Sequence, residues 1–142
     1  MANDIDRAEG RVAFGDDPAG YHAARPAYPD WVFETLHDRC GLKDGAAIFE
    51  IGPGTGIATR RLLDLGANPL VAIEPDPRLA AYLRGKNPDE ALVVEVSTFE
   101  DAALPELAFD LGVSATAFHW LDENTVWPRS RACFGPADGG PC

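Results

Sequence analysis

The chain has 142 residues, 46% hydrophobic and 25% charged, which is the profile of one soluble globular domain. No stretch approaches the roughly 18 continuous apolar residues of a membrane helix, and the opening MANDIDRAEGR lacks the apolar centre of a signal peptide, so the expected location is cytoplasmic with no membrane partner. A formal net charge of −11 repels phosphate backbones and argues against a nucleic-acid partner, while Cys40, Cys133, Cys142 and the scattered histidines have neither disulfide-framework nor zinc-ligand spacing, so no metal is expected.

Residues 1–27 are polar and punctuated by Gly15, Pro18, Gly20 and Pro26. They read as an N-terminal arm that gains order near Tyr21. Pro29 then precedes a helix whose inward face is expected to be Trp31, Val32, Thr35 and Leu36, with Gly41 as its stop. Asp44-Gly45 reads as a turn. The apolar run Ala46 to Ile51 suits a buried parallel strand. A glycine loop follows, then a helix over 57–65 closed by Gly66. Leu70 to Glu74 is a second strand, Asp76 to Leu83 a second βαβ helix, Ala91 to Val96 a third strand and Phe109 to Ala115 a fourth. Strands alternating with helices of this length imply βαβ units, a parallel sheet and helices on both faces.

The segment Glu50-Ile51-Gly52-Pro53-Gly54-Thr55-Gly56 sits between strand and helix. Glycine tolerates positive φ and lets backbone approach a ligand closely. The helix start beyond Gly56 turns unpaired N–H groups toward that ligand. Glu74 ends the next strand about 20 residues on, where an acid typically binds ribose hydroxyls. Spacing separates the possible cofactors. The dinucleotide fingerprint G-x-G-x-x-G needs a third glycine where this chain has Ile57 or Thr59, and no Gly-Lys-Ser/Thr follows to make a phosphate-binding P-loop. A nicotinamide-dependent oxidoreductase is therefore the weaker alternative.

FEIGPGTG followed by VAIEPD resembles the first two motifs of class I S-adenosylmethionine-dependent methyltransferases. The resemblance runs from about Tyr21 to Asp122. YHAARPAYP and FDLGVSATAFHWL resemble segments of the small-molecule branch that includes ubiquinone/menaquinone-biosynthesis-like and trans-aconitate-methyltransferase-like enzymes. The resemblance implies an α/β, Rossmann-like domain over 28–122, here truncated to about four parallel strands in the order 3-2-1-4, and a small-molecule methyl acceptor. It implies that Gly52, Gly54, Thr55 and Gly56 pass the methionine part of S-adenosylmethionine, that Glu50 orients its amino group, and that Glu74 holds the ribose with Pro75 and Asp76 beside the adenine. Phe99 and Glu100 fall where the family contacts the adenine edge; a core aromatic and a solvated helix start are the alternatives.

Methyl transfer from a sulfonium mainly asks a protein to orient two reactants and exclude water. A base is needed only when the acceptor must lose a proton. His119, beside Trp120 at the carboxyl edge of the sheet, is the candidate for that role, with a structural histidine as the alternative. Ser114 is a candidate contact near the sulfonium. Tyr21 and Arg25 are candidates to close over the cofactor as the arm folds down.

Beyond Asp122 the chain reads ENTVWPRSRACFGPADGGPC, without apolar period and rich in breakers. Residues 123–142 are therefore expected to be an aberrant, irregular tail that leaves the fourth strand with an open edge; a non-catalytic cofactor-binding remnant is the alternative to an active enzyme. The genetic code suggests a cause. Synonymous codons for Val126 to Pro136, read in another register, give LAKIARVLRP, an amphipathic helix running into the turn that the family resemblance implies. A frame-shifted reading beyond about Thr125 is thus the expectation, and the gene's codons in this region test it.

Overall fold

The computed structural model describes residues 16–115 and 121–134. Their elements in chain order are α1 (Pro18–Ala24), α2 (Asp30–Arg39), β1 (Ile48–Ile51), α3 (Ile57–Asp64), β2 (Leu70–Ile73), α4 (Pro77–Lys86), β3 (Leu92–Glu95), β4 (Leu111–Val113) and α5 (Glu123–Cys133). The strands form one parallel sheet in the order β3-β2-β1-β4. β1 is central: Ile48 lies opposite Leu70 on one side and Leu111 on the other.

All four residues of β1 are buried because the sheet is covered on both faces. Ile48 joins Phe33, Leu62, Leu70 and Leu111 in one core, which packs under α2 and α3. Its neighbour Phe49 points the other way, into a core with Ile73, Phe99, Phe109, Val126 and Cys133. Phe49 is the hub of that second core, with ring centroids 5.8 Å from Phe99, 5.3 Å from Phe109 and 5.6 Å from Phe134. Full burial of such a side chain contributes roughly 1.5–3 kcal/mol. No described helix is long and apolar enough to cross a membrane.

The helix ends follow local chemistry. Asp76 caps α4, its carboxylate accepting the Arg78 N–H at 2.8 Å, and Pro77 fills the first helical position, where no N–H is needed. α3 closes in a Schellman motif: Ala67 N–H donates to Leu62 O at 3.1 Å and Gly66 N–H to Leu63 O at 3.0 Å. Gly66 takes φ 93°, the left-handed value this closure requires.

Three expectations change. In α2 the buried residue is Phe33, while Trp31 is 65% exposed. The inward face is Val32, Phe33, Leu36 and Cys40, one residue round from the face the sequence suggested. Cys40 takes part in a disulfide, a cross-link that the irregular cysteine spacing did not announce.

The segment after Asp122 is not irregular throughout: residues 123–133 form α5. Asp122 caps it through the Asn124 N–H at 3.1 Å. Val126 and Cys133, seven positions apart, are its buried residues, with Arg129 turned inward between them. Pro128 removes one helical hydrogen bond, yet the helix continues past it because the inward face is anchored. After α5, Phe134 forms a parallel bridge with Phe109. This bridge lies two residues ahead of β4, which is itself the edge strand of the described sheet. Residues 135–142 lie outside the described part.

Candidate functional site

The site forms where β1 runs into α3. Gly52 N–H donates to Ile73 O at 3.0 Å, prolonging the β1–β2 ladder by one step before the chain turns away. Gly52, Gly54 and Gly56 take φ 65°, 59° and 93°, all in the left-handed region. A side chain at Gly56 would also collide with Leu83 Cδ1 of α4. The loop thus needs glycine twice over at that position, for conformation and for space.

Glu74 follows β2 and is 3% exposed. Its Oε2 accepts the Gly54 N–H and its Oε1 the Asp76 N–H, both at 3.0 Å. A carboxylate has about four acceptor positions, so two backbone bonds leave capacity for ligand hydroxyls. Burial raises the Glu74 pKa, against the opposing pull of the two N–H bonds. Pro75 is half-buried beside it. The Asp76 carboxylate is committed to capping α4 and to Arg78, whose Nη2 lies 2.8 Å away, and this guanidinium lowers its pKa. The Asp76 carboxylate is therefore engaged within α4.

Glu50 sits at the end of β1 under the loop, 2% exposed. Thr59 Oγ1 of α3 donates to its Oε2 at 2.6 Å. Burial pushes its pKa up to about 7, with the Thr59 bond opposing and the neighbouring Glu74 adding to the rise. Two acids thus flank the loop, a setting that suits a cationic, hydroxyl-bearing ligand.

The structure sorts the remaining candidates. Ser114 follows β4, next to β1, and its Oγ is buried with no hydrogen-bond partner among the described residues. Such an orphan at the carboxyl edge of the sheet fits a ligand contact. The Phe99 ring is 2% exposed and stacked on Phe49, and its carbonyl accepts from Arg129 Nε at 2.7 Å. The ring thus packs in the core, the alternative that the sequence left open beside an adenine contact. Glu100 lies half-buried in the same turn. Arg25 follows α1 and is exposed. Tyr21 belongs to α1; its side chain, together with His119 and Trp120, lies outside the described residues.

One contact to the loop was not legible in the sequence. His22 of α1 brings Nδ1 to 2.8 Å from Thr55 Oγ1 in the loop. Nothing local signals this contact, which joins residues 33 positions apart.

A doubly covered parallel sheet, a glycine loop at positive φ, an acid tied to that loop and an orphan hydroxyl at the adjacent strand end together define a nucleoside-cofactor fold. Residues 49–130 match the methyltransferase domain family, and the chain belongs to that family, whose cofactor is S-adenosylmethionine. The residues present fit this group: Glu74 keeps acceptor capacity, Glu50 provides an acid below the loop, and Ser114 Oγ lacks a partner among the described residues. An uncharacterised methyltransferase-like protein of Schizosaccharomyces pombe is 31% identical over 123 residues, covering 85% of this chain and 45% of that protein. The dimethyladenosine transferase of Saccharomyces cerevisiae is 34% identical over 91 residues, covering 61% of this chain and 28% of that protein. The chain thus spans less than half the length of these curated relatives. Among solved structures, a SAM-dependent methyltransferase from Aquifex aeolicus superposes with a TM-score of 0.68 at 20% identity, covering 88% of this chain and 78% of that one. An S-adenosylmethionine-dependent methyltransferase from Mesorhizobium loti gives 0.65 at 22% identity, covering 73% and 49%. These likenesses concern the fold.

Proposed function

We propose that the chain carries the cofactor-binding part of an enzyme that moves the methyl group of S-adenosylmethionine to a small-molecule acceptor. The observation that supports the donor site best is Glu74, which accepts the Gly54 and Asp76 N–H groups and keeps lone pairs for ribose hydroxyls. When bound, S-adenosylmethionine supplies an electrophilic methyl group on a sulfonium. The protein's tasks are then orientation and exclusion of water. Gly52, Gly54 and Gly56 let the backbone pass close to the methionine part, Glu50 faces its ammonium, and Ser114 Oγ is available near the reacting end. His119 is the proposed proton acceptor for acceptors that must lose one.

The small-molecule acceptor is supported by the net charge of −11, which opposes a phosphate backbone, and by the resemblance of YHAARPAYP and FDLGVSATAFHWL to the small-molecule branch. An RNA acceptor is the second reading, favoured by the similarity to the dimethyladenosine transferase. Transfer of labelled methyl groups to a small-metabolite extract, against transfer to total RNA, tests the choice. Label in RNA alone overturns the small-molecule reading. Cofactor binding without transfer to either pool favours a non-catalytic remnant.

A further inference from the structure

We propose that His22 is a positioning residue for the cofactor loop, acting through Thr55; this rests on reading that loop as the S-adenosylmethionine site. α1 packs against α4. Two contacts dock it there. Arg78 of α4 pairs with Asp16, just ahead of α1. The His22 ring stands 5.8 Å from the Tyr82 ring of α4, tilted by 50°.

From this docked position the His22 Nδ1 reaches Thr55 Oγ1 at 2.8 Å. Thr55 is 2% exposed and lies between Gly54 and Gly56, both at positive φ. A loop with this much glycine is conformationally permissive on its own. A bond to Thr55 from outside the loop restricts the peptide groups on either side of it. Gly54, the residue before, is held in turn by Glu74. The loop is thereby gripped at adjacent residues from two directions, by α1 through Thr55 and by the end of β2 through Gly54. Both grips prepare the ligand-facing backbone before a ligand arrives, which lowers the ordering cost of binding. Docking of α1 and cofactor affinity are therefore coupled. The bond also satisfies a buried hydroxyl whose loss of a partner is costly.

Calorimetry on the whole chain with S-adenosylhomocysteine tests the proposal, with thermal unfolding of every variant as a folding control. His22→Phe keeps a ring against Tyr82 and removes the nitrogen; about fivefold to tenfold weaker binding is expected. His22→Asn puts a polar atom near the Nδ1 position, and affinity is expected to return to within about twofold of wild type. Thr55→Val is expected to match His22→Phe, and the double variant to be no weaker than either single one, because both remove the same bond. A merely structural histidine would give additive losses and no rescue by Asn. Should His22→Phe fail to fold, the Asn and Val variants still decide between rescue and loss. Wild-type binding together with unchanged affinity in His22→Phe, or with additive losses, overturns the positioning role alone. A folded wild-type chain that binds no S-adenosylhomocysteine overturns the reading of the loop, and the role of His22 with it.

Discussion

Gly54 and Glu74, 20 residues apart in the chain, are joined by one hydrogen bond: the Gly54 N–H donates to Glu74 Oε2 at 3.0 Å. The bond ties the loop after β1 to the end of β2, so the two segments that would meet a nucleoside are already in register. The other oxygen of Glu74 holds the Asp76 N–H at the start of α4. One buried carboxylate thus organises the loop, the helix start and the expected ribose contact.

Replacing Glu74 by Ala removes both bonds at once. Leaving one buried N–H without its acceptor costs about 1–3 kcal/mol, so a stability loss of at least that size is expected in urea unfolding. S-adenosylmethionine affinity is expected to fall by more than about tenfold. A variant with wild-type affinity would show that Glu74 is only a structural cap.

The pH dependence follows from Glu50, whose pKa is raised by burial from 4.5 to about 7. Between those values the folded chain keeps a proton that the unfolded chain has lost, so stability falls as pH rises through the window. The total is of the order of 3 kcal/mol. Glu74, also raised by burial, acts in the same direction. Glu50→Gln is expected to flatten this dependence in urea unfolding compared at about pH 5 and about pH 8. Ligand binding runs the other way. An ammonium group held by Glu50 needs the ionised acid, so S-adenosylmethionine affinity is expected to rise with pH up to about 7 and then level off. An affinity that is flat in pH would remove Glu50 from the ammonium site.

The legible part of the sequence was the part where local signals agree. Ile48 to Ile51, the glycines after them and the period of α3 each pointed to the same strand, loop and helix, and Glu74 lay at the expected distance. α5 was missed because its inward face carries only Val126 and Cys133 as apolar residues, with a cationic Arg129 between them and Pro128 in the run. Its order comes from partners far away in sequence: Arg129 donates to the Phe99 and Ala102 carbonyls. Phe99 was ambiguous because an aromatic after a strand serves core or ligand equally well, and its stacking on Phe49 is a long-range contact that no local signal shows. His22 was invisible for the same reason, since its partner Thr55 is brought to it by the docking of α1 on α4.

Gly112 of β4 offers a packing test. A Cβ there would stand 2.7 Å from Phe49 Cε2 and closer still to Cζ. The ring cannot retreat, since Phe99, Phe109 and Phe134 surround it. Gly112→Ala is expected to destabilise the chain by about 1–3 kcal/mol. An unchanged unfolding midpoint would mean that the aromatic core has slack.

The segment after Asp122 gives another. Arg129→Ala removes the two carbonyl contacts that hold the turn from Phe99 to Ala102. A loss of about 1–3 kcal/mol is expected, together with faster amide exchange at Ala102, whose N–H bonds to Thr98 O within that turn. A neutral outcome would mark α5 as a dispensable appendage.

The most direct test of the account is ligand choice at the glycine loop. Isothermal titration of the folded chain with S-adenosylmethionine and, separately, with NADH distinguishes a methyl-donor site from a dinucleotide site. Saturable one-to-one binding of S-adenosylmethionine, weakened more than about tenfold in Glu74→Ala and absent for NADH, is the predicted result. Binding of NADH with no affinity for S-adenosylmethionine would contradict it.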